Sequence, residues 1–262
     1  MEITLFTSNN NRHNYLINLL STISDKLYIV QEHKELHSGN ISDQYSNSEV
    51  VKEYFKKVND AQTKFFGNPY VDSSTQSIKL ISIPAGDLYK CSLPFLADFL
   101  KSDLYIVYGS SYLKGDLVDY LIKKKTINIH MGVSPYYRGS SCNFWALYDG
   151  NPHLVGATIH MLSKGLDSGP MLYHAMSNFK SSPFDYSMST VKSAFHSLAE
   201  RINDRSIFKI KPKNQEKSLE VRYSKKVEFN EKIIQEYFKK KINLDSIKFD
   251  KSLLKDPFFL SN

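Results

Sequence analysis

Residues 104–130 read LYIVYGSSYLKGDLVDYLIKKKTINIH, in which two apolar runs typical of β-strands flank a segment of helical length. The two runs are Leu104–Tyr108 and Ile127–Ile129. Strands that alternate with helical segments form βαβ units, whose strands lie parallel in one sheet. This stretch therefore predicts an α/β fold built on a parallel sheet.

The same alternation extends in both directions along the chain. Further strands are predicted at Ile3–Thr7, Leu27–Val30, Ile78–Ile83 and Val155–His160, and helices around Tyr15–Leu20, Ser46–Phe66 and Tyr186–Ile202. We expect a Rossmann-like, mostly parallel and doubly wound sheet in a catalytic domain over residues 1–205. Residues 206–262 are expected to form a small C-terminal subdomain, with a hairpin around Phe208–Lys226 and a helix around Asn230–Lys241.

The composition excludes several classes of protein. The chain has 262 residues, of which 41% are apolar and 23% charged, so it is neither a disordered tail nor a fibre. No apolar run approaches the roughly 18–20 residues of a membrane span, and the start lacks the apolar core of a signal peptide. The two cysteines, Cys91 and Cys142, cannot form a disulfide framework or a four-cysteine zinc site. A cytoplasmic protein without a membrane partner is expected.

The net charge of +7 points to an anionic partner, which could be nucleic acid, a membrane surface or a phosphorylated small molecule. The excess is local, because Arg205–Lys241 contains twelve Lys and Arg against five Glu. A solvated, lysine-rich surface would give the same pattern. Both interpretations stay open from the sequence.

Ligands of such sheets bind beyond the carboxyl ends of the strands. The first of these loops reads Ser8-Asn9-Asn10-Asn11-Arg12 and lacks the G-x-G-x-x-G pattern that binds dinucleotides. Its amides and Arg12 stand at the start of a predicted helix, whose dipole favours an anion. An ordinary Asn-rich turn that caps the helix is the alternative.

A second group of polar residues follows the predicted strand Ile127–Ile129. Asn128 and His130 share one face of that strand, because side chains alternate along it. An amide donor beside an imidazole is suited to stabilising an oxyanion and to transferring a proton. Further along, a loop at residues 165–170 presents Asp167 between glycines.

Four short patterns occur in order: N-x-H at 128–130, P-x-Y-R-G at 135–139, G-x-T-x-H at 156–160 and G-x-D-x-G-P at 165–170. Together they resemble the folate-dependent formyltransferase family, which includes glycinamide ribonucleotide, methionyl-tRNA and nucleotide-linked amino-sugar N-formyltransferases. The resemblance is specific over about Asp103–Tyr173 and thin beyond Phe179. It implies the formyltransferase fold and N10-formyltetrahydrofolate as the formyl donor, with no metal.

The resemblance also implies roles for individual residues. Asn128, His130 and Asp167 match the catalytic Asn, His and Asp of the family. The pteridine is expected to lie against Tyr108, Gly109, Ser110, Ser111, Tyr112, Leu113 and Leu166. Candidate residues on the acceptor side are Ser8, Asn9, Asn10, Arg12, Met131, Gly132, Pro135, Tyr137, Arg138, Gly139 and His160, the last of which could equally be structural. The chain departs from the family at Gly132, where a serine is usual, and at Cys142, where proline is common.

Three acceptor amines compete. The string from Tyr108 to Gly169 looks most like enzymes that act on UDP- or dTDP-linked 4-amino-4,6-dideoxy sugars, for surface polysaccharides such as lipopolysaccharide O-antigen or for nonulosonic-acid-type glycans. Methionyl-tRNA enzymes carry a longer, barrel-like C-terminal domain, and glycinamide ribonucleotide enzymes a Gly-rich first loop. We therefore expect a sugar nucleotide and not nucleic acid, with a non-catalytic sugar-nucleotide or folate binding module as the alternative of another class.

The resemblance to the sugar-acting members of the family implies a homodimer, because their C-terminal segment often supplies the interface, and the predicted last helix would lie in that segment. The apolar residues of this helix fall on one face, which must pack against something: Phe229, Ile233, Ile234, Tyr237 and Phe238.

Overall fold

The computed structural model describes residues 1–33, 48–72, 77–178, 181–245 and 247–261. The strands are β1 (Glu2–Ser8), β2 (Lys26–His33), β3 (Ile78–Pro84), β4 (Leu104–Tyr108), β5 (Ile127–His130), β6 (Tyr137–Gly139), β7 (Ala157–Met161), β8 (Met171–Ser177), β9 (Arg222–Ser224) and β10 (Phe258–Leu260). The helices are α1 (Asn11–Ser21), α2 (Glu49–Phe66), α3 (Gly115–Lys123), α4 (Cys142–Tyr148), α5 (Pro183–Asn203) and α6 (Glu231–Lys239). Residues 46 and 47 of the predicted second helix lie outside the described residues.

The large sheet has the strand order β10-β8-β7-β5-β4-β1-β2-β3. Strands β1 to β5 are mutually parallel, and β10 is parallel to β8, whereas β7 is antiparallel to both of its neighbours. The prediction of an α/β fold with a mostly parallel sheet is confirmed. Because β1, β4 and β5 run in the same direction, the loops that follow them meet at one edge of the sheet.

Helix starts follow local capping signals. The Ser48 hydroxyl accepts a hydrogen bond from the Val51 N–H at the start of α2, and Ser182 accepts one from the Asp185 N–H at the start of α5. Pro183 occupies the first position of α5, where its missing N–H costs nothing. This capping explains why α5 begins three residues before the predicted start at Tyr186.

The segment after residue 205 differs most from the prediction. The hairpin predicted around Phe208–Lys226 does not form, since β9 is its only strand and pairs in parallel with β6 of the central region. Short 3-10 turns occupy Ser206–Lys209 and Lys217–Leu219. The unpredicted β10 joins the edge of the large sheet beside β8. Strands of three residues are too short to show an alternating pattern in the sequence.

The apolar face of α6 packs inside the chain. Tyr54 of α2 makes ring contacts with Phe229, Tyr237 and Phe238, and Phe144 of α4 lies 4.6 Å from Tyr237 between ring centroids. Ile234 and Tyr237 are buried by these contacts. This face is therefore packed against α2 and α4 of the same chain, and homodimerisation stays a prediction. None of the described helices combines the length and the apolar character that crossing a membrane requires.

Candidate active site

A cavity of about 990 Å³ opens at the edge of the sheet where the parallel strands end. Its lining comes from the loops after β1 and β4, from β5, and from the loop between β7 and β8. Residues of α2, α4 and α5 and residues 223–226 complete the walls. The cavity thus occupies the position at which open α/β sheets bind ligands.

Asn128, His130 and Asp167 all line this cavity. His130 Nδ1 lies 3.2 Å from Asp167 Oδ2, and Asn128 Nδ2 lies 2.9 Å from His160 Nε2. His160 reaches this position because it pairs with Asn128 in the register of β5 and β7. The structure therefore brings together the three residues predicted as catalytic and adds His160 as their neighbour.

His130 and Asp167 form a buried ion pair. Burial lowers the pKa of His130, but the Asp167 carboxylate and the Cys142 thiol outweigh this effect, so the pKa lies well above its ordinary value. Burial raises the pKa of Asp167, and the neighbouring imidazolium more than offsets it, so this pKa lies below its ordinary value. The pair is consequently charged on both sides at neutral pH.

His160 is neutral, in contrast to His130. Burial lowers the pKa of His160 to about 4. Its Nδ1–H donates to the Met161 carbonyl at 2.8 Å, so Nε2 is the acceptor for the Asn128 amide. This bond fixes the orientation of the Asn128 amide and uses one of its two N–H groups. Within the described residues, the second N–H and the amide oxygen remain for a ligand.

The loop that carries Asp167 is held from outside the cavity. Asp167 adopts a left-handed backbone conformation with φ of 47°. Gln215 Nε2 donates to the carbonyls of Asp167 and Gly169, at 2.8 Å each, and Arg138 Nη2 donates to the Leu166 carbonyl at 2.9 Å. The sequence patterns contain no signal for Gln215, because it lies in a segment without periodicity.

The predicted acceptor-side residues fall into two groups. Ser8, Asn10, Arg12, Met131, Gly139 and His160 line the cavity, whereas Asn9, Gly132, Pro135, Tyr137 and Arg138 are not among the lining residues. The pairing of β6 with β9 explains part of this division. Arg138 Nη1 donates to Glu220 at 2.9 Å, and the Tyr137 hydroxyl donates to Asp149 at 3.3 Å. Arg138 thus supports the loop instead of facing the cavity.

The two departures from the family pattern lie side by side. A Cβ on Gly132 would stand 2.6 Å from the Cβ of Cys142 and 2.6 Å from His130 Nε2, which is closer than side chains approach. The glycine therefore lets the start of α4 come up to the His130 ring. The Cys142 thiol donates to the Gly139 carbonyl at 3.5 Å.

All seven residues predicted to contact folate line the cavity: Tyr108, Gly109, Ser110, Ser111, Tyr112, Leu113 and Leu166. The Tyr112 hydroxyl donates to the Lys164 carbonyl at 2.6 Å and so joins the loop after β4 to the loop that precedes Asp167. The N–H and the hydroxyl of Ser111 donate to Glu32 at 2.5 and 2.7 Å. These two groups of Ser111 are therefore occupied by the protein.

Several lining residues are not marked by the sequence patterns. His13 packs against Tyr108 with 4.6 Å between ring centroids and a tilt of 35°, and its Nδ1 accepts from the Ser8 N–H at 3.2 Å. Tyr54 and Phe144 belong to an aromatic wall of the cavity. Helical spacing assigns such residues to a core, and nothing in the pattern separates a core aromatic from one that lines a cavity.

His174 is a second buried, neutral histidine. Its Nε2–H donates to the Ser134 carbonyl at 2.8 Å, and its Nδ1 accepts from the Lys255 N–H at 2.7 Å. Burial lowers the pKa of His174 to about 4. This histidine does not line the cavity, and it ties the segment before β10 to the loop after β5.

Acid is expected to destabilise the protein between pH 6.5 and 5. His160 and His174 have folded-state pKa values of about 4, so the unfolded chain binds more protons as the pH falls below their ordinary pKa of 6.5. Each should remove about 1.5 kcal/mol from the free energy of unfolding over this range. His130 does not offset the loss, because the stability from its raised pKa is already complete below pH 6.5. Urea unfolding at the two pH values measures the change.

The control for this prediction is the His174→Asn variant, which lacks one of the two groups. Its pH-dependent loss should be about 1.5 kcal/mol smaller than that of the parent chain. An unchanged loss would contradict the assignment of His174 as a source of acid sensitivity.

Comparisons with known proteins identify chains that are similar in sequence or fold. Residues 96–204 match the formyl transferase family. The methionyl-tRNA formyltransferase of Thermosynechococcus vestitus is 34% identical over 80 residues, which are 30% of this chain and 24% of that protein. The matched segment therefore spans only about a quarter of the length of that curated relative.

Two solved structures share the fold over most of the chain. A sugar N-formyltransferase from Shewanella sp FDAARGOS_354 aligns with a TM-score of 0.54 and 17% identity, over 95% of this chain and 83% of that one. The formyltransferase PseJ from Anoxybacillus kamchatkensis, in complex with UDP-4,6-dideoxy-4-formamido-L-AltNAc and tetrahydrofolate, aligns with a TM-score of 0.50 and 17% identity, over 87% of each chain. The protein therefore has the fold of these formyltransferases, and its residues 96–204, with Asn128, His130 and Asp167 among them, match the formyl transferase family.

Proposed function

We propose that the protein transfers the formyl group of N10-formyltetrahydrofolate to the primary amine of a nucleotide-linked amino-dideoxy sugar, in the synthesis of a surface or nonulosonic-acid-type glycan. The observation that carries the proposal is the meeting of Asn128 with the His130–Asp167 ion pair in one cavity. A module that only binds ligands has no need of a buried imidazolium beside an amide donor. Formyl transfer does need them, because negative charge develops on the formyl oxygen.

The walls of the cavity fit a reduced folate. On the side of the loop after β4 they combine backbone groups with apolar side chains, namely those of Val107, Leu113, Val118, Leu162 and Leu166. A flat heteroaromatic ring with several donors and acceptors matches such a surface. When bound, the folate would supply the formyl carbon and a leaving nitrogen at N10.

Asn128 and His130 are the proposed donors to the formyl oxygen. The second N–H of Asn128 and the Nε2–H of the His130 imidazolium would each stabilise the developing charge by about 2.7–4 kcal/mol. His130 is oriented by the Asp167 carboxylate, 3.2 Å from Nδ1, and its Nε2–H, which donates to the Tyr137 carbonyl at 3.1 Å, would exchange that carbonyl for the formyl oxygen. The Asn128 amide is already oriented by its bond to His160, so this donor is preorganised for the charge that develops when the neutral amine attacks.

His130 is also the proposed proton carrier. A new C–N bond forms at the amine while the carbon's bond to the leaving nitrogen breaks, so one proton must move from the first nitrogen to the second. An imidazolium can give its proton to the leaving nitrogen and take the amine proton in its place. Asp167 keeps the ring in the correct orientation and favours its charged form.

Arg12 supports an acceptor that carries phosphates. It lines the cavity in the first turn of α1, where the helix dipole favours negative charge. Its buried Nε has no hydrogen-bond partner among the residues that the structure describes. Lys225 and Lys226 line the same cavity. A diphosphate-linked sugar would satisfy these cations, since Arg pairs with phosphate through two parallel bonds.

Methionyl-tRNA is the second candidate acceptor. The matched relative in Thermosynechococcus vestitus acts on it by name, and the surplus of Lys and Arg after residue 205 suits an RNA backbone. The short length of that match gives it less weight than the fold shared with sugar N-formyltransferases over most of the chain.

A panel of amines tests the proposal. The protein is incubated with N10-formyltetrahydrofolate and, separately, with UDP- and dTDP-linked 3-amino and 4-amino sugars, methionyl-tRNA and glycinamide ribonucleotide. We expect one class of amino sugar to gain the mass of one formyl group. Formylation of methionyl-tRNA alone would establish the second candidate instead. Binding of folate and sugar nucleotide without any mass gain would identify a binding module and refute the proposed activity.

A further inference from the structure

Glu32 is a buried carboxylate that lies outside the cavity lining. It stands near the end of β2 and is 2% exposed. Its Oε1 accepts the Gly86 N–H at 2.8 Å and the Ser111 hydroxyl at 2.7 Å, and its Oε2 accepts the Ser111 N–H at 2.5 Å. A single carboxylate thus joins the loops that follow β3 and β4, across the intervening end of β1.

These bonds need a carboxylate in particular. An ionised carboxyl group only accepts hydrogen bonds, and its two oxygens can take three donors at once. Burying such a group is costly unless every oxygen is satisfied, and packing alone would be served by an apolar side chain. The arrangement at Glu32 therefore fixes the peptide group of Ser111 in both position and direction.

Ser111 lies in the middle of the loop that forms the proposed folate side of the cavity. Residues 109–113 all line the cavity, and the Tyr112 hydroxyl anchors the loop a second time at the Lys164 carbonyl, 2.6 Å away. The affinity for a ligand that binds to backbone groups depends on the shape of this loop. A shift of Ser111 would therefore weaken ligand binding, although Glu32 itself does not contact the ligand.

We propose that Glu32 is a positioning residue for the folate, which holds the loop 109–113 in the shape that receives the pteridine. The inference rests on the proposed function, because it concerns the folate side of the same site. In this proposal Ser111 supports the loop, since the N–H and the hydroxyl of Ser111 both donate to Glu32.

Glu32→Gln is the sharpest variant, because it keeps the shape of the side chain. In either orientation of the amide, its NH₂ group faces a backbone N–H, that of Ser111 or that of Gly86, so one buried donor loses its acceptor. We expect the Kd and KM for folate to rise about tenfold or more. The kcat at saturating folate and the KM for the acceptor amine should change by less than about threefold, because Asn128, His130 and Asp167 are untouched.

The experiment measures the Kd of the unreactive 5-formyl isomer of the folate by calorimetry, together with KM, kcat and the melting temperature. Thr4→Val is the matched control, since Thr4 is equally buried in β1 and its hydroxyl donates to the Phe99 carbonyl at 2.7 Å, away from the cavity. It should lower the melting temperature without changing folate affinity. Ser111→Ala, which removes one of the three donors and keeps the backbone, should raise the folate Kd in the same direction by a smaller factor, and it serves if Glu32→Gln does not fold.

The outcomes separate this inference from the proposed function. An unchanged folate Kd in Glu32→Gln, or in Ser111→Ala where the first variant does not fold, refutes the inference alone. An equal loss of folate affinity in Thr4→Val also refutes it, because the effect would then be one of general stability. A parent protein that binds no reduced folate refutes both the inference and the proposed function, whereas a parent that binds folate but formylates no amino sugar refutes only the proposed acceptor.

Discussion

Replacing His130 by alanine is expected to lower the kcat of formyl transfer by about 10²–10⁴-fold, the usual contribution of a positioned acid or base. The variant loses both the Nε2–H donor and the imidazolium that Asp167 stabilises. Folate affinity should change little, because the loop after β4 forms that side of the cavity. Single-turnover rates and a folate titration of the same preparation give the two quantities.

His196→Ala is the control for this variant. His196 is a half-buried histidine on α5 whose Nε2 bonds the Tyr15 hydroxyl at 2.7 Å, and it does not line the cavity. Its removal should leave kcat within about twofold, as expected for a substitution away from the reacting groups. A His130→Ala protein that formylates at the parent's rate would show that the ion pair is structural and that the proposed mechanism is wrong.

Alanine at Gly169 is expected to lower kcat by about 100-fold, the cost of a misplacement of about 1 Å in an active site. A Cβ at this position would stand 1.7 Å from the Met161 carbonyl oxygen, which is backbone at the end of β7 and has no freedom to rotate away. The loop that carries Asp167 must therefore move. The free energy of unfolding should fall by about 1–3 kcal/mol as well, as for other overpacked sites. Steady-state kinetics and thermal melting measure both effects.

Gly165→Ala provides the comparison for Gly169→Ala within the same loop. Its Cβ would approach only the side chain of Ser168, at 2.4 Å from the hydroxyl oxygen, and this hydroxyl can rotate away. We expect kcat to stay within about threefold of the parent value. Equal losses in the two variants would mean that the loop tolerates no side chain for reasons unrelated to the contact at Met161.

Much of the catalytic geometry could be predicted from the sequence, because it depends on the period of a strand. Asn128 and His130 share a face by alternation alone, and the polar loops meet at one edge because the strands run parallel. The proximity of Asp167 to these two residues could be predicted only from the resemblance to the family, since no local sequence pattern relates residue 130 to residue 167.

The parts that could not be predicted are those built by contacts between distant and irregular segments. Gln215 supports Asp167 from a stretch without periodicity, and β9 is three residues long and pairs with an equally short β6. The sequence predicts Arg138 on the acceptor side of the site, but this pairing turns it towards Glu220. In each case the decisive partner lies more than forty residues away, beyond the range of any sequence pattern.

The two imidazoles beside Asp167 have a consequence for proton stoichiometry. Their ring centroids are 6.3 Å apart, and Asp167 Oδ1 lies 3.9 Å from His160 Nε2 while its other oxygen pairs with His130. The negative charge of Asp167 faces one imidazolium and one neutral ring, so the group is electrically balanced and resists taking up another proton from solvent. Such a group stores a single exchangeable proton, which is the number that passes between nitrogens each time an amide is made from an amine.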